Sequence, residues 1–344
     1  MAGDIKYLLA YTAPLSTIIA LYFQGPLSYS TLIYAFIMVP ILELIINNQK
    51  NDDEFNESER ETRLKNKFFD LILYFNLPLT FGVLVWGFII ISYQSIETYE
   101  VIGLTISLGI VLSSNGINVA HELGHRKSFF EKTLSKLLLT PSLYMHFYIE
   151  HNFGHHKNVA TKEDPATARK NQSLYFFWIT SVIGQYISAW KIQLKLLKQN
   201  GSSFLSVKND MLFYTFFQSI YLLLLYIFFG TYTLFIAILV AIISFLLLET
   251  INYIEHYGLL RKKINGRYEK VQTIHSWNSN HFVGRIVLYE LTRHSDHHYR
   301  TSKKYQILEN KKESPQLPFG YPTCMLISMI PPLWYRLMNP RLVV

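Results

Sequence analysis

Long, nearly uncharged apolar blocks constrain this chain more than any other feature. Six of them run Tyr7–Phe23, Ser28–Asn48, Phe69–Tyr93, Val101–Ala120, Met211–Phe229 and Tyr232–Asn252. Each is about 17–25 residues long, which at roughly 1.5 Å per residue crosses a hydrocarbon core of about 30 Å. The Ser and Thr residues within them, as around Ser28 and Ser107, are tolerated because they bond back to helix carbonyls. Half of the 344 residues are hydrophobic, and their gathering into blocks argues against a soluble fold with buried helices. The expected fold is all-α and integral to a membrane, with six transmembrane helices and one domain over residues 1–344.

The placement of charge orients these helices. All 32 Lys and Arg residues lie outside the six blocks, at Lys6, from Lys50 to Lys67, from Arg126 to Lys208 and from Arg261 to Arg341. The loops near Gly25, Ile96 and Gly230 carry none. Positive residues stay on the cytoplasmic side, so both termini are expected there. The net charge of +8 then belongs to one face, suited to anionic lipid headgroups or an acidic protein. No aromatic-basic groove or known module accompanies it, so nucleic-acid binding is not expected. No cleavable leader is evident at the start, and the first block reads as a retained helix. The single cysteine, Cys324, excludes an internal disulfide and a four-cysteine iron site within one chain.

No internal repeat appears. Asn51–Lys67 is a short charged connection, and two longer segments, about 121–208 and 255–344, are expected to form a cytoplasmic helical cap. Ser173–Trp190 is apolar enough to resemble a seventh crossing. It contains Thr180, Ser181, Gln185 and Ser188 and runs into Lys191, Lys195 and Lys198, a pattern that fits a helix lying in the membrane interface. A crossing here would also put the later histidines on the opposite face from the earlier ones.

Those histidines are clustered. His121 and His125 stand four apart at the end of the fourth block; His151, His155 and His156 form a second group; His294, His297 and His298 form a third; His256 follows the sixth block. Neutral imidazole suits iron, zinc, copper or nickel, and helical i,i+3 and i,i+4 pairs can grip one ion. Nine imidazoles exceed what one ion accepts, so two ions are implied. His121-Glu122-Leu123-Gly124-His125 matches a zinc-protease string, but such a site needs one further ligand and leaves the other histidines unexplained. A pair of redox-active irons accounts for all nine. Soluble di-iron bundles use glutamates instead. Neutral ligands leave the metal charge uncompensated, which makes the adjoining Glu122, Glu150, Glu255 and Asp296 candidates for orienting the rings.

At these residues the sequence resembles the bacterial membrane alkane 1-monooxygenases, within the fatty-acid desaturase and hydroxylase superfamily. The three clusters are shared by the superfamily. The narrower likeness lies in Asn252–Leu259, in Trp277-Asn278-Ser279-Asn280, in Leu288-Tyr289 with the stretch from Leu291 to His298, in Pro315-Gln316-Leu317-Pro318 with Gly320-Tyr321-Pro322, and in Asp164–Arg169. The resemblance implies a six-helix fold in the bacterial inner membrane and two non-haem iron ions. Their ligands would be His121, His125, His151, His155, His156, His256, His294, His297 and His298, leaving over His146, His275 and His281. It implies dioxygen as co-substrate and the terminal methyl of a medium- or long-chain alkane, entering from the bilayer, as target. Glu43 stands where Asp is expected, and the second block lacks a bulky Trp that limits chain length in some relatives.

Electrons must come from outside, because no dinucleotide fingerprint or cysteine cluster is present. The resemblance implies a rubredoxin reduced by a flavin-dependent NAD(P)H reductase, with the basic face as its dock. The competing readings are a fatty-acyl desaturase or aromatic methyl hydroxylase on the same scaffold, and a membrane metal transporter. A transporter needs polar residues along the spans, whereas Glu43, Asp70 and Glu249 lie towards span ends.

Overall fold

The computed structural model describes residues 2–46 and 55–342. Asn47 and Asn48 of the second expected block, the charged connection before residue 55 and the last two residues of the chain lie outside them. Five helices among the described residues are long and apolar enough to cross a membrane. They are α1 (Gly3–Phe23), α2 (Gly25–Ile46), α3 (Phe68–Tyr93), α4 (Thr98–Gly124) and, further along, the 47-residue Asp210–His256. Between these last two runs α5 (Leu174–Gln199), so Asp210–His256 is α6.

Helix α6 is not straight. Gly230 has φ 75° and ψ 179°, a conformation essentially reserved for glycine. The chain reverses there, as two neighbouring residues reveal. The Met145 amide donates to Gln218 Oε1 at 3.0 Å, and the Tyr144 hydroxyl donates to Glu249 Oε1 at 3.1 Å. A straight helix rising about 1.5 Å per residue would set Gln218 and Glu249 roughly 45 Å apart. The two halves of α6 therefore lie side by side as a hairpin. Its tip packs on the end of α3, where Ser92 Oγ meets Thr233 Oγ1 at 2.6 Å and the Tyr93 hydroxyl donates to Phe228 O at 2.6 Å.

Two apolar clusters stack along the helices. One joins Leu84, Phe88, Leu104 and Leu108 to Leu225, Ile236 and Val240 near the tip of the hairpin. The other gathers Tyr7, Phe69, Ile117, Leu138, Tyr214 and Leu248 towards the polar end. Helix α4 is the most enclosed of the five, and it carries the residues that the others surround. A third cluster, built on Tyr253, Tyr257, Trp277, Tyr321 and Trp334, binds the C-terminal segment to the end of α6.

Helix α5 is not among the five crossing candidates. It buries Ser181, Gln185 and Ala189, while Phe176, Ile179, Ile183 and Ile187 are exposed. Its inner face mixes Ser181, Gln185 and Gln193 with Leu174, Phe177 and Leu197, while an apolar outer face departs from the pattern of a helix in water. Two of the inner polar residues serve Glu249, which accepts from Ser181 Oγ at 2.6 Å and from Gln185 Nε2 at 2.8 Å. The described residues depart from an all-helical chain in an isolated bridge between Asn278 and Gln316 and in a hairpin pairing Lys263–Ile264 with Arg267–Tyr268. Asn265-Gly266 between them, both at positive φ, is the sequence signal for such a turn. Glu43, on α2, is buried and accepts the Gly284 amide at 3.0 Å, tying α2 to the short helix Phe282–Val287.

No atom lies within 4 Å of a Cβ built on Gly230, so a side chain there would be penalised by backbone conformation alone. Gly230→Ala is expected to cost on the order of 1–3 kcal/mol and to lower the thermal midpoint in detergent. Gly82→Ala, in open space on α3, serves as the control and should not lower it. Equal midpoints for the two variants would show that the reversal does not depend on glycine.

Candidate metal centre

Four separate segments bring histidines to one place. His121 sits in the last turn of α4 and His125 just past its end. His151, His155 and His156 lie in and beside a wide turn of π-helix, Glu150–His155. His256 ends α6, and His294, His297 and His298 ride on the short helix α7 (His294–Tyr299). A second π-helical turn, Leu112–Ile117, precedes His121 in α4; such turns re-aim side chains and recur at functional sites.

The nine rings sort into two groups. His121, His125, His151, His156 and His297 form one, and His155, His256, His294 and His298 form the other. In each group the available nitrogens lie within 4.8 Å of one another. This divides neighbours that spacing alone would have paired. His151 and His155, four apart, go to different groups, because the π turn places His156, five residues on, beside His151 at 2.9 Å between Nε2 atoms. His294 shares its group with His298, four residues on, while His297 faces the other way. The two groups adjoin, with the rings of His156 and His298 centred 4.5 Å apart.

The spacing tests whether a metal fits. Nε2 atoms of His125, His151 and His156 are mutually 2.9–3.2 Å apart, and those of His256, His294, His298 and His155 follow one another at 2.9–3.2 Å. Three nitrogens in a mutual triangle cannot all be satisfied by one another's hydrogens. With metal–nitrogen bonds of about 2.1 Å, neighbouring ligands at right angles stand roughly 3.0 Å apart. The donor set therefore fits an ion in each group. Burial, reinforced by neighbouring imidazoles, holds His151, His156, His294, His297 and His298 well below the ordinary histidine range, and burial takes His125 down to about 3. The rings are thus neutral and ready to donate lone pairs.

The carboxylates around them have different tasks. Glu255 reaches the four-histidine group, with Oε2 3.2 Å from His294 Nε2, and its other oxygen accepts the Tyr321 hydroxyl at 2.6 Å. Glu122 is turned to the buried Arg126, at 2.8 Å, and accepts the Tyr305 amide. Asp296 takes Lys303 Nζ at 2.6 Å and the Glu309 amide at 2.8 Å, fixing α7 to the following loop. Glu150 accepts from Ser188 Oγ at 3.3 Å, and burial followed by repulsion from Asp164 pushes it well above the ordinary range.

Asp164 is the orienting residue that the sequence did not single out, although its segment was part of the resemblance. Its Oδ2 lies 3.0 Å from His155 Nδ1 and accepts the Thr167 hydroxyl at 2.5 Å. Burial would raise this carboxyl, yet His155 and Thr167 hold it below its usual range. A carboxylate on the far nitrogen fixes the tautomer and aims Nε2 at the group. An acid eight residues after a histidine pair, followed by Pro165 and Thr167, is the only trace of it in the chain. His146, His275 and His281 belong to neither group: His146 packs on Tyr144 and Tyr186, His275 pairs with Glu269 at 3.3 Å, and His281 meets Ser279 at 3.0 Å.

The Trp277 segment is a brace. Its amide donates to Glu255 O at 2.8 Å and its indole to Tyr257 O at 2.9 Å, clasping the end of α6 on both sides of His256. Asn278 bonds the backbone at Pro315 and Leu317 and accepts from Ser295 of α7 at 3.1 Å.

Known sequences share this framework. Residues 98–328 match the family model described as fatty acid desaturase. An alkane 1-monooxygenase of Ectopseudomonas oleovorans is 40% identical, covering 81% of this chain and 70% of that protein. One from Pseudomonas putida is 36% identical over 89% of this chain and 76% of its own length, and one from Alcanivorax borkumensis 34% over 97% and 84%. The chain belongs to the alkane 1-monooxygenase family. The segments that the family likeness rests on are thus the ones that clasp His256 and α7, and the stretch matching the desaturase model contains all nine clustered histidines.

Two substitutions separate the tasks at this centre. Asp164→Asn removes the carboxylate behind His155 and should weaken metal binding by about 10–100-fold, read by competition with a chelator. Unchanged affinity would reduce Asp164 to a packing residue. His256→Ala should leave the purified protein short of two metal ions per chain by elemental analysis, and full occupancy would remove it from the ligand set.

Proposed function

We propose that this chain is an alkane 1-monooxygenase that converts the terminal methyl of a medium- or long-chain alkane to a primary alcohol with dioxygen. The observation that carries the reading is the division of nine clustered imidazoles into two adjoining groups of metal-ligand spacing, in a chain whose relatives over most of its length are alkane 1-monooxygenases. The proposed ligands are His121, His125, His151, His156 and His297 for one iron and His155, His256, His294 and His298 for the other. A bound iron pair supplies the reduction of dioxygen and the attack on an unactivated C–H bond.

The residues of the chain do the rest. Alkane, dioxygen, two electrons and two protons give alcohol and water, so the site must admit an apolar chain at one end and charge at the other. An apolar cavity of about 90 Å³ between α1, α2, α4 and α6 suits the first need; Phe36, Val39, Ile110, Leu247 and Ile251 line it, and it reaches Tyr321. Tyr321 stands between this cavity and the centre, through its bond to Glu255. Its hydroxyl keeps Glu255 turned to His294, where the carboxylate offsets the charge of ions held by neutral ligands. Asp164 holds His155 in one tautomer from the other side.

The topology follows from the same reading. With the α6 hairpin counted as two crossings the chain crosses the bacterial inner membrane six times within a single domain, both termini are cytoplasmic, and α5 lies in the interface with its apolar side to lipid. The electrons come from a separate electron-transfer protein, a rubredoxin served by a flavin-dependent NAD(P)H reductase. Glu150, Glu122 and Asp296 support the centre from behind the ligands, by buried hydrogen bonds and ion pairs.

Iron-loaded protein, supplied with rubredoxin, its reductase and NAD(P)H, is expected to form 1-octanol from octane or 1-hexadecanol from hexadecane, detected by gas chromatography. Double bonds formed in an acyl substrate without any alcohol would make it a desaturase. Benzylic alcohol from toluene, with alkanes untouched, would assign it to the aromatic methyl hydroxylases.

A further inference from the structure

The two histidine groups differ in access. All four rings of the His155 group are buried, whereas His125 and His156 of the other group are partly exposed. They open into a cavity of about 310 Å³ whose wall also includes Arg126, Lys127, Lys132 and Phe153. Three cations and no carboxylate line it. Arg126 is neutralised by Glu122 and Asp70, but among the described residues Lys127 and Lys132 have no ion pair. Exposed Lys157 and Arg300, each next in the chain to a lining residue, extend the positive rim. Phe153 is 52% exposed inside this rim, an apolar anchor within a charged border.

We propose that this cavity is the docking surface of a small acidic one-electron carrier protein, and that electrons enter the centre through His125 and His156. The inference rests on the oxygenase reading, which requires a reductant from outside the chain. The imidazole edges of two ligands at the cavity wall give a tunnelling electron the shortest route from a bound carrier. A larger cavity of about 690 Å³, beside α5, also carries cations, Lys162, Arg169, Lys170 and Lys191. Glu163 and Asp164 line that one too, and none of the nine clustered histidines lies in its wall, which meets His155 through Asp164 behind it. The smaller cavity has the purer charge and the direct contact. Each turnover takes two electrons, so two reduced carriers dock in succession and each leaves oxidised by one electron. Attraction across water serves such repeated short encounters better than a tight apolar interface.

Reduced rubredoxin is the probe. Its affinity for the detergent-solubilised, iron-loaded protein is measured by surface plasmon resonance at low salt and at roughly 0.5 M salt, where long-range attraction is screened. Wild-type affinity should fall with salt. Lys127→Glu combined with Lys132→Glu should weaken binding by roughly tenfold or more at low salt and flatten the salt dependence. Lys270→Glu with Lys312→Glu, exposed cations elsewhere, should bind as wild type. Iron content and thermal midpoint establish that each variant is folded. Carbodiimide cross-linking of the unaltered protein, mapped by mass spectrometry, should join the carrier to Lys127, Lys132 or Lys157. Undiminished affinity in the folded double variant, cross-links confined to Lys162, Lys170 and Lys191, or no binding at low salt would each overturn the proposal. A carrier bound at this rim with no alcohol formed refutes the alkane reading and keeps the dock; alcohol formed with cross-links elsewhere does the reverse.

Discussion

Nine imidazoles turned towards one another are the constraint to which the rest of the structure answers. Nitrogens about 3 Å apart cannot satisfy each other as hydrogen-bonding partners when three or more converge. The arrangement is favourable only around cations. A cation held by neutral ligands carries its charge into a region of low dielectric, so carboxylates must stand nearby. Glu255 and Asp164 answer that need from two sides, one by facing the ligand nitrogen of His294 and the other by holding the far nitrogen of His155.

Holding nine rings in place calls for rigid supports, and the chain spends much of its buried polarity on them. Arg126 binds Glu122 and Asp70, joining the end of α4 to the start of α3. Glu249, deep in α6, is satisfied by Tyr144, Ser181, Gln185 and Asn252, which locks the helical hairpin to α5 and to the turn before His151. Trp277 clasps both sides of His256 through the backbone. Each support is a buried polar group with at least one partner far away in sequence, so breaking one leaves an unsatisfied group as well as a loosened histidine.

The two ends of the centre differ in their physics. Towards the membrane, the cavity that reaches Tyr321 is apolar, which suits a guest that gains nothing by meeting water. At the polar end the five-histidine group is partly open, and Lys127 and Lys132, without an ion pair among the described residues, stand at the opening. A protein that joins a hydrocarbon to electrons from a water-soluble donor needs both, and the enclosed four-histidine group lies between them.

The sequence alone determined much of this. Apolar blocks of span length fixed helices at α1 to α4 because a membrane leaves a backbone few other ways to bond its polar groups. The histidine clusters, and the Asn252 and Trp277 segments beside them, located the centre and the family, since few other chemistries use so many imidazoles. Even the reversal at Gly230 was legible, as a short uncharged gap between two blocks. Partnership was not. Spacing left open whether His155 or His156 would join His151, and a π turn over Glu150–His155 places His156 beside it. Glu122 and Asp296 adjoin clustered histidines in sequence yet face Arg126 and Lys303, while Asp164, distant from any cluster by helical reckoning, reaches His155. Sequence records which donors a chain owns; the direction in which each one points is decided only when the segments pack, because every buried polar group then takes the partner that the fold leaves within reach.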